Sequence, residues 1–244
     1  LLQIYRLEFA KLQWSVVVIL IALDALINSG LGAMYMESFK DIFAPSWNQL
    51  YIQSQSFHAL FFYPLYVGIL ASLICYYEHQ NNAWKQLLSL PVSKTHLYLA
   101  KFLVLISLMA LVQVAFFGMY LIAGWIIQPP GKIEWSQLLG HGILGWVSIF
   151  PLAALQLWIS QKVTGFGKSL ALNVSLVLPN IFSTALVSYL AAWYPFAPPS
   201  FAMYPGGGPI PSRFHPEPFW ATVALTFLLY FTVGWRMFVK REWK

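Results

Sequence analysis

Leu97-Tyr-Leu-Ala-Lys-Phe-Leu-Val-Leu-Ile-Ser-Leu-Met-Ala-Leu-Val-Gln-Val-Ala-Phe-Phe-Gly-Met-Tyr-Leu-Ile-Ala-Gly-Trp-Ile-Ile127 decides the fold class. The stretch carries a single charge, Lys101, and is longer than the roughly 20 apolar residues that cross about 30 Å of hydrocarbon. It is long for one crossing, so its first turns are expected to project into the cytoplasm. Five further apolar runs qualify, at about 14–34, 57–77, 138–160, 170–193 and 219–239. The reading is an all-α polytopic membrane protein of six transmembrane helices. Residues 1–244 form one membrane domain, with no nucleotide-binding domain in the chain. The chain opens on Leu1, so a few residues are expected ahead of it.

Composition agrees. Of 244 residues, 59% are hydrophobic and 9% charged, with mean hydropathy +0.65. Soluble domains carry about 25% charged residues, so a soluble enzyme is excluded. Aromatic residues at 18%, including 11 Trp, suit a bilayer protein with interfacial belts. One cysteine, Cys75, excludes a disulfide framework and a multi-cysteine metal site.

The net charge of +6 sits at span ends, which points to membrane orientation rather than to nucleic acid. One side collects Arg6, Lys11, Lys85, Lys94, Lys101, Lys162, Lys168, Arg236, Lys240, Arg241 and Lys244; the other has Lys40, Lys132 and Arg213. The positive-inside rule places the first side, and both termini, in the cytoplasm. Residues 35–56 and 128–137 read as outer loops. The third outer loop, 194–218, is rich in Pro and Gly and cannot continue a helix. Its aromatic residues, Phe196, Phe201 and Tyr204 among them, are candidates for contact with a substrate at the outer leaflet; a stiff connector is the plainer reading.

Between spans two and three lies Glu78-His-Gln-Asn-Asn-Ala-Trp-Lys-Gln-Leu-Leu-Ser-Leu-Pro-Val-Ser-Lys94. Trp84, Leu87 and Leu88 recur at i, i+3 and i+4, giving a short helix one apolar face, and Pro91 stops it. Such an amphipathic helix, tied at each end to a span, is a lever for a protein docking from the cytoplasm. The plainer alternative is an interfacial helix with no partner.

Glu78, Asn82, Trp84-Lys85, Leu87-Leu88 and the run from Leu90 to Lys101 resemble the loop after the second span in permeases of the second class of ABC exporters. The branch of lantibiotic-immunity and bacitracin-export permeases is the nearest likeness. Chain length, six spans and cytoplasmic termini fit the same family, although the close match covers only about residues 74–104. The resemblance implies a coupling helix at 78–91, with Glu78, Asn82, Trp84, Lys85, Leu87 and Leu88 contacting a partner ATPase. The turn 161–169, with Lys162 and Lys168, would be a second contact. It further implies two ABC ATPase subunits that carry the ATP and Mg, a second permease copy or paralogue, and residence in a bacterial cytoplasmic membrane. The exported cargo would be an amphipathic antimicrobial peptide.

Other chemistries lack their motifs. Gly165-Phe-Gly-Lys-Ser169 has Lys162 where a phosphate loop needs its first glycine, so it reads as a turn. No HExxH occurs, and His58, His79, His96, His141 and His215 have no metal-ligand spacing. His58 and His141 fall near the outer ends of their spans, with no glycine-flanked serine to serve, which argues against an intramembrane protease. The importer-type loop, with its Glu-Ala-Ala start, is also missing.

Asp24 stands near the middle of span one, where a carboxylate costs about 2.5–3.5 kcal/mol on insertion scales. Asn28 lies one turn outward, and Gln113 and Asn180 lie at comparable depth. With no Lys or Arg there, Asp24 is expected to be held by neutral donors or to carry a proton. These four residues line a translocation path or join helices as polar glue. Pro64, Pro151 and Pro179 are expected to kink spans two, four and five. Gly68 and Ser72 form a small-residue step that could pack closely. A stand-alone secondary transporter and a permease-fold scaffold in a larger membrane machine remain as alternatives.

Overall fold

The computed structural model describes residues 1–79, 84, 92–163, 165–206 and 211–240. Five of its helices are long and apolar enough to cross a membrane: Trp14–Ser38, Trp47–Tyr76, Lys94–Ile127, Trp135–Lys162 and Pro216–Lys240. We number the helices in chain order. α1 is Leu2–Ala10 and α2 is Trp14–Ser38. α3 (Trp47–Phe57) passes through a π-helical turn at His58–Phe62 into α4 (Tyr63–Tyr76). α5 is Lys94–Ile127, α6 Trp135–Ser148 and α7 Phe150–Lys162. α8 is Phe166–Val177, followed by the short α9 (Asn180–Ser183), α10 (Ser188–Ala191) and α11 (Pro198–Ala202). α12 is Pro216–Lys240.

The second long helix starts ten residues before the expected span. Residues 47–56 read as part of the outer loop 35–56, since Gln49, Gln53, Ser54, Gln55 and Ser56 lower their hydropathy. They form a helix because Ser46 accepts a hydrogen bond from Gln49 N at its start, and because Leu50 and Tyr51 bury one face. α5 has 34 residues, about 51 Å at 1.5 Å per residue, so it overreaches the hydrocarbon as its sequence suggests. Gln128 ends it in the left-handed region (φ 55°), ahead of Pro129-Pro130.

Each proline expected to disturb a span coincides with a break. Ahead of Pro64 the helix widens into the π turn, and ahead of Pro151 it breaks at Ile149. At Pro179 the run 170–193 stops being one helix and becomes α8, α9 and α10. α8 nevertheless climbs antiparallel along α4. Ser169 meets Ser72 (Oγ–Oγ 2.7 Å), Asn173 reaches Leu65 O (2.7 Å), and Asn180 reaches Leu60 O (2.7 Å).

Gly68 makes the approach possible, since a Cβ there would lie 2.1 Å from Asn173 Cγ. The small-residue step read from the sequence is therefore a packing seam, with polar bonds added by Ser72, Ser160 and Ser169.

The apolar core lies where α4, α5 and α7 meet, around Val67, Leu70, Leu105, Leu108, Leu152 and Leu157. The outward faces of α2, α5 and α12 expose Ile19, Val114, Trp125 and Leu228, an inverted surface that suits lipid contact.

Candidate functional site

At the lysine-rich end of the bundle, four elements converge on one buried cation. Lys101, on α5, is 0% exposed. Its Nζ donates to Glu8 Oε2 at 2.6 Å, to Glu78 Oε1 at 2.8 Å and to the carbonyl of Ile74 at 3.1 Å. Lys11 adds a second cation, 2.6 Å from Glu8 and 3.4 Å from Glu78. The indole of Trp84 lies 5.5 Å from Lys101 Nζ and packs against His79 and Phe238. Burial alone would push the Glu8 carboxyl up, but Lys101 and Lys11 outweigh it and hold the group below its ordinary value of 4.5. Two lysines against two carboxylates make the cluster neutral as a set, so a buried charge is tolerated there.

Two residues of the expected contact surface belong to this cluster: Glu78 and Trp84 point into the chain, and Trp84 is only 5% exposed. They anchor the connection between α4 and α5. Asn82, Lys85, Leu87 and Leu88 lie outside the described residues. Lys162 and Lys168, of the second expected contact, are both exposed on the same end of the bundle, with Lys162 Nζ 4.7 Å from the Trp158 ring.

A second polar group lies deep between α2, α5 and the π turn. His58 Nδ1 sits 3.1 and 2.9 Å from the two Asp24 carboxylate oxygens, and its Nε2 sits 3.3 Å from Gln113 Oε1. Asn28 donates to Asp24 Oδ1 at 2.9 Å and to its backbone carbonyl at 2.8 Å. The imidazole stacks on Phe116 at 4.1 Å with the rings 3° apart. Asp24 and His58 are both fully buried. Each gives the other a polar partner out of contact with water, which suits a low-dielectric interior.

Asp24, Asn28 and Gln113 lie in one group, joined through His58, a residue whose sequence position suggests the outer end of its span. The early start of α3 puts it 11 residues into the helix, at the depth of Asp24. The signal lay in the polar string Gln53-Ser-Gln-Ser-Phe-His58, whose Ser54 packs on Gly32 and whose Gln55 and His58 are buried.

Asn180 does not join this group. Its amide donates to Leu60 O at 2.7 Å and to Phe196 O at 3.0 Å. Leu60 O is the carbonyl that residue 64 would serve in an unbroken helix, and Pro64 has no N–H to offer. Asn180 therefore satisfies an acceptor that Pro64 leaves open.

Residues 195–203 of the segment expected to contact the outer leaflet are buried, while 212 and 215–218 are exposed. Phe196 is 1% and Phe201 3% exposed, the latter packed 6.2 Å from Phe219. Tyr204 remains half-buried, at the edge of a small cavity with Gln55 and Ser200. The segment is tied down by Tyr51, whose hydroxyl donates to Met203 O at 2.9 Å. Only Tyr204 of the three keeps a surface to offer. Among the described residues, no cluster of three or more His, Cys, Asp or Glu side chains could hold a metal ion.

A family model described as ABC-2 family transporter protein matches residues 4–188. That interval contains the buried ionic cluster, the Asp24–His58 pair and the connection between α4 and α5. No curated protein matches the chain.

Proposed function

The chain belongs to the ABC-2 family of transporter proteins, and from that premise we propose that it drives an amphipathic substrate, a lantibiotic-like or bacitracin-like peptide, outward across a bacterial cytoplasmic membrane. As a multi-pass permease subunit of an ABC transporter it performs no covalent chemistry of its own. ATP and Mg are handled by two separate ATPase subunits, and a second permease copy or paralogue completes the pathway. Both termini lie in the cytoplasm. The chain crosses six times, the fifth passage being made by α8 and the short helices after Pro179.

The observation that carries this reading is the buried cluster around Lys101. Glu78 and Trp84 flank residues 80–83, ahead of Lys85, Leu87 and Leu88, and both grip the same lysine. A partner docking on residues 80–91, and on the turn bearing Lys162 and Lys168, moves the ends of α4 and α5 together with α1, because one set of short ionic bonds joins them. The polar group at Asp24, Asn28, His58 and Gln113 lies further along the same two helices and α2, where it either lines the path or holds the helices in register.

The test is co-expression with the ATPase encoded beside it, followed by purification in detergent. The ATPase is expected to co-purify with the wild type and to be lost on Leu88→Asp, with the thermal unfolding of the permease unchanged. Absence of any ATPase from the wild-type preparation would refute the coupling. The pairing of Asp24 with His58 also suits ion coupling in a stand-alone secondary transporter; transport that persists in ATP-depleted vesicles would favour that reading.

A further inference from the structure

At the lysine-rich end, a groove of about 670 Å³ opens between the last turns of α7 and α12. Its floor is apolar, formed by Trp158, Met237 and Phe238, and its rim carries Lys162, Arg236 and Lys240. The three cations come from two helices, and all are exposed. Among the described residues, no carboxylate lies within ion-pair distance of any of them. Glu8 and Glu78 are engaged with Lys11 and Lys101. Trp158 adds a donor: its indole N–H is buried and meets no acceptor among the described residues. The groove has this shape because Gly234 lets α12 close on α7, where a Cβ would stand 3.1 Å from Trp158 Cβ and 2.6 Å from the Tyr98 hydroxyl.

We propose that this groove binds an anionic phospholipid, its phosphate held by Lys162, Arg236, Lys240 and the Trp158 N–H and its first acyl carbons lying on Met237 and Phe238. Three considerations select that ligand. Both helices end here as candidate membrane spans, so the groove sits where lipid headgroups are. Three cations without a described acidic neighbour complement a phosphate, and basic pockets between spans are recurrent headgroup sites. The apolar floor suits an acyl chain, whereas a free phosphate ester would leave it facing water. The site depends on the chain being a membrane protein and is independent of which substrate is moved; Lys162 is shared with the turn proposed as the second ATPase contact, and Arg236 and Lys240 belong to the groove alone.

The experiment uses the full chain purified in detergent, with phosphatidylglycerol, phosphatidylcholine and soluble glycerol phosphate as probes. Native mass spectrometry and thermal unfolding are the readouts. Phosphatidylglycerol is expected to be retained as adducts and to raise the unfolding temperature, and the other two probes are expected to do neither. Lys162→Gln, Arg236→Gln and Lys240→Gln should each weaken phosphatidylglycerol binding about fivefold, and the triple variant ~100-fold. Trp158→Phe keeps the ring and loses the donor, so binding should weaken without loss of fold. If the triple variant does not fold by circular dichroism, the single variants carry the test. Equal binding of phosphatidylglycerol and phosphatidylcholine overturns the proposal. So does competition by glycerol phosphate at phosphatidylglycerol concentrations, or a set of folded variants that bind as the wild type does. Loss of the ATPase in the co-purification experiment would leave this result untouched.

Discussion

Lys101→Met removes the cation at the centre of the buried ionic cluster while keeping an unbranched side chain of similar length. Lys101 is 0% exposed and bonds two carboxylates at 2.6 and 2.8 Å, both almost wholly buried. Deleting one partner of a buried ion pair costs about 3–5 kcal/mol, because the other charge stays behind without compensation. Lys11 remains 2.6 Å from Glu8 and 3.4 Å from Glu78, but its side chain is 38% exposed and only partly offsets the loss. The expected cost is therefore about 3 kcal/mol, at the lower end of that range. Adding Glu8→Gln and Glu78→Gln removes the stranded charges and should return stability to within about 1 kcal/mol of the wild type. Reversible unfolding in mixed micelles, followed by far-ultraviolet circular dichroism, measures both. A pH series adds an independent sign. The Glu8 carboxyl is held below 4.5 in the folded chain, so its contribution is present above about that pH and is lost as pH falls through the lowered value. Lys101→Met should flatten that acid limb. If Lys101→Met costs less than about 0.5 kcal/mol, or if the triple variant is less stable than the single one, then desolvated charge is not what holds these elements together.

Gly32→Ala forces a Cβ to 2.0 Å from Ser54 Oγ and 2.7 Å from Ser54 Cα, and should destabilise by about 1–3 kcal/mol; Gly30→Ala on the same helix meets nothing within 4 Å and should be neutral or stabilising in the same unfolding assay. Asp24→Asn and His58→Gln should each destabilise, and a double-mutant cycle should give a coupling of about 1–3 kcal/mol, since each change strands the other partner. Asn180→Leu leaves the carbonyls of Leu60 and Phe196 without this donor and should cost about 2–4 kcal/mol. Adding Pro64→Ala supplies an N–H for Leu60 O and should recover part of that loss, measured by the same unfolding.

The membrane class and most of the helices were legible because long apolar runs with few charges leave the backbone little choice but to satisfy itself in helices. Hydropathy failed where polar residues point inward. Ser54, Gln55 and His58 are polar yet buried, so from hydropathy alone the start of the second long helix reads as a loop and His58 as lying further outward. It also failed at 170–193, where the average is apolar but Pro179 interrupts the hydrogen-bond ladder, a local effect that a window average cannot register. The role of Asn180 was beyond a linear reading, because it answers a carbonyl 120 residues away. The burial of Glu78 and Trp84 was hidden for a similar reason. The spacing of Trp84 with Leu87 and Leu88 marks one apolar face without saying whether it meets this chain or another, and for Glu78 and Trp84 the buried Lys101 is the partner found.

The π turn at His58–Phe62 makes the second long helix a shaft keyed twice. One residue more than an α turn requires rotates everything beyond it by on the order of 100° relative to an unbroken helix. Before the turn, Ser54 faces Gly32 of α2 and Tyr51 faces α5 and α6; after it, Gly68 and Ser72 face α7 and α8. Substitutions can tune either half separately, but only an insertion or deletion within 58–62 can change how the halves are indexed. Glu78 and His58 lie on the order of 30 Å apart along the helix, on opposite sides of this offset. A chain shortened by one residue in that turn would keep the contact-forming side chains of both flanking halves and present one half to the wrong neighbour.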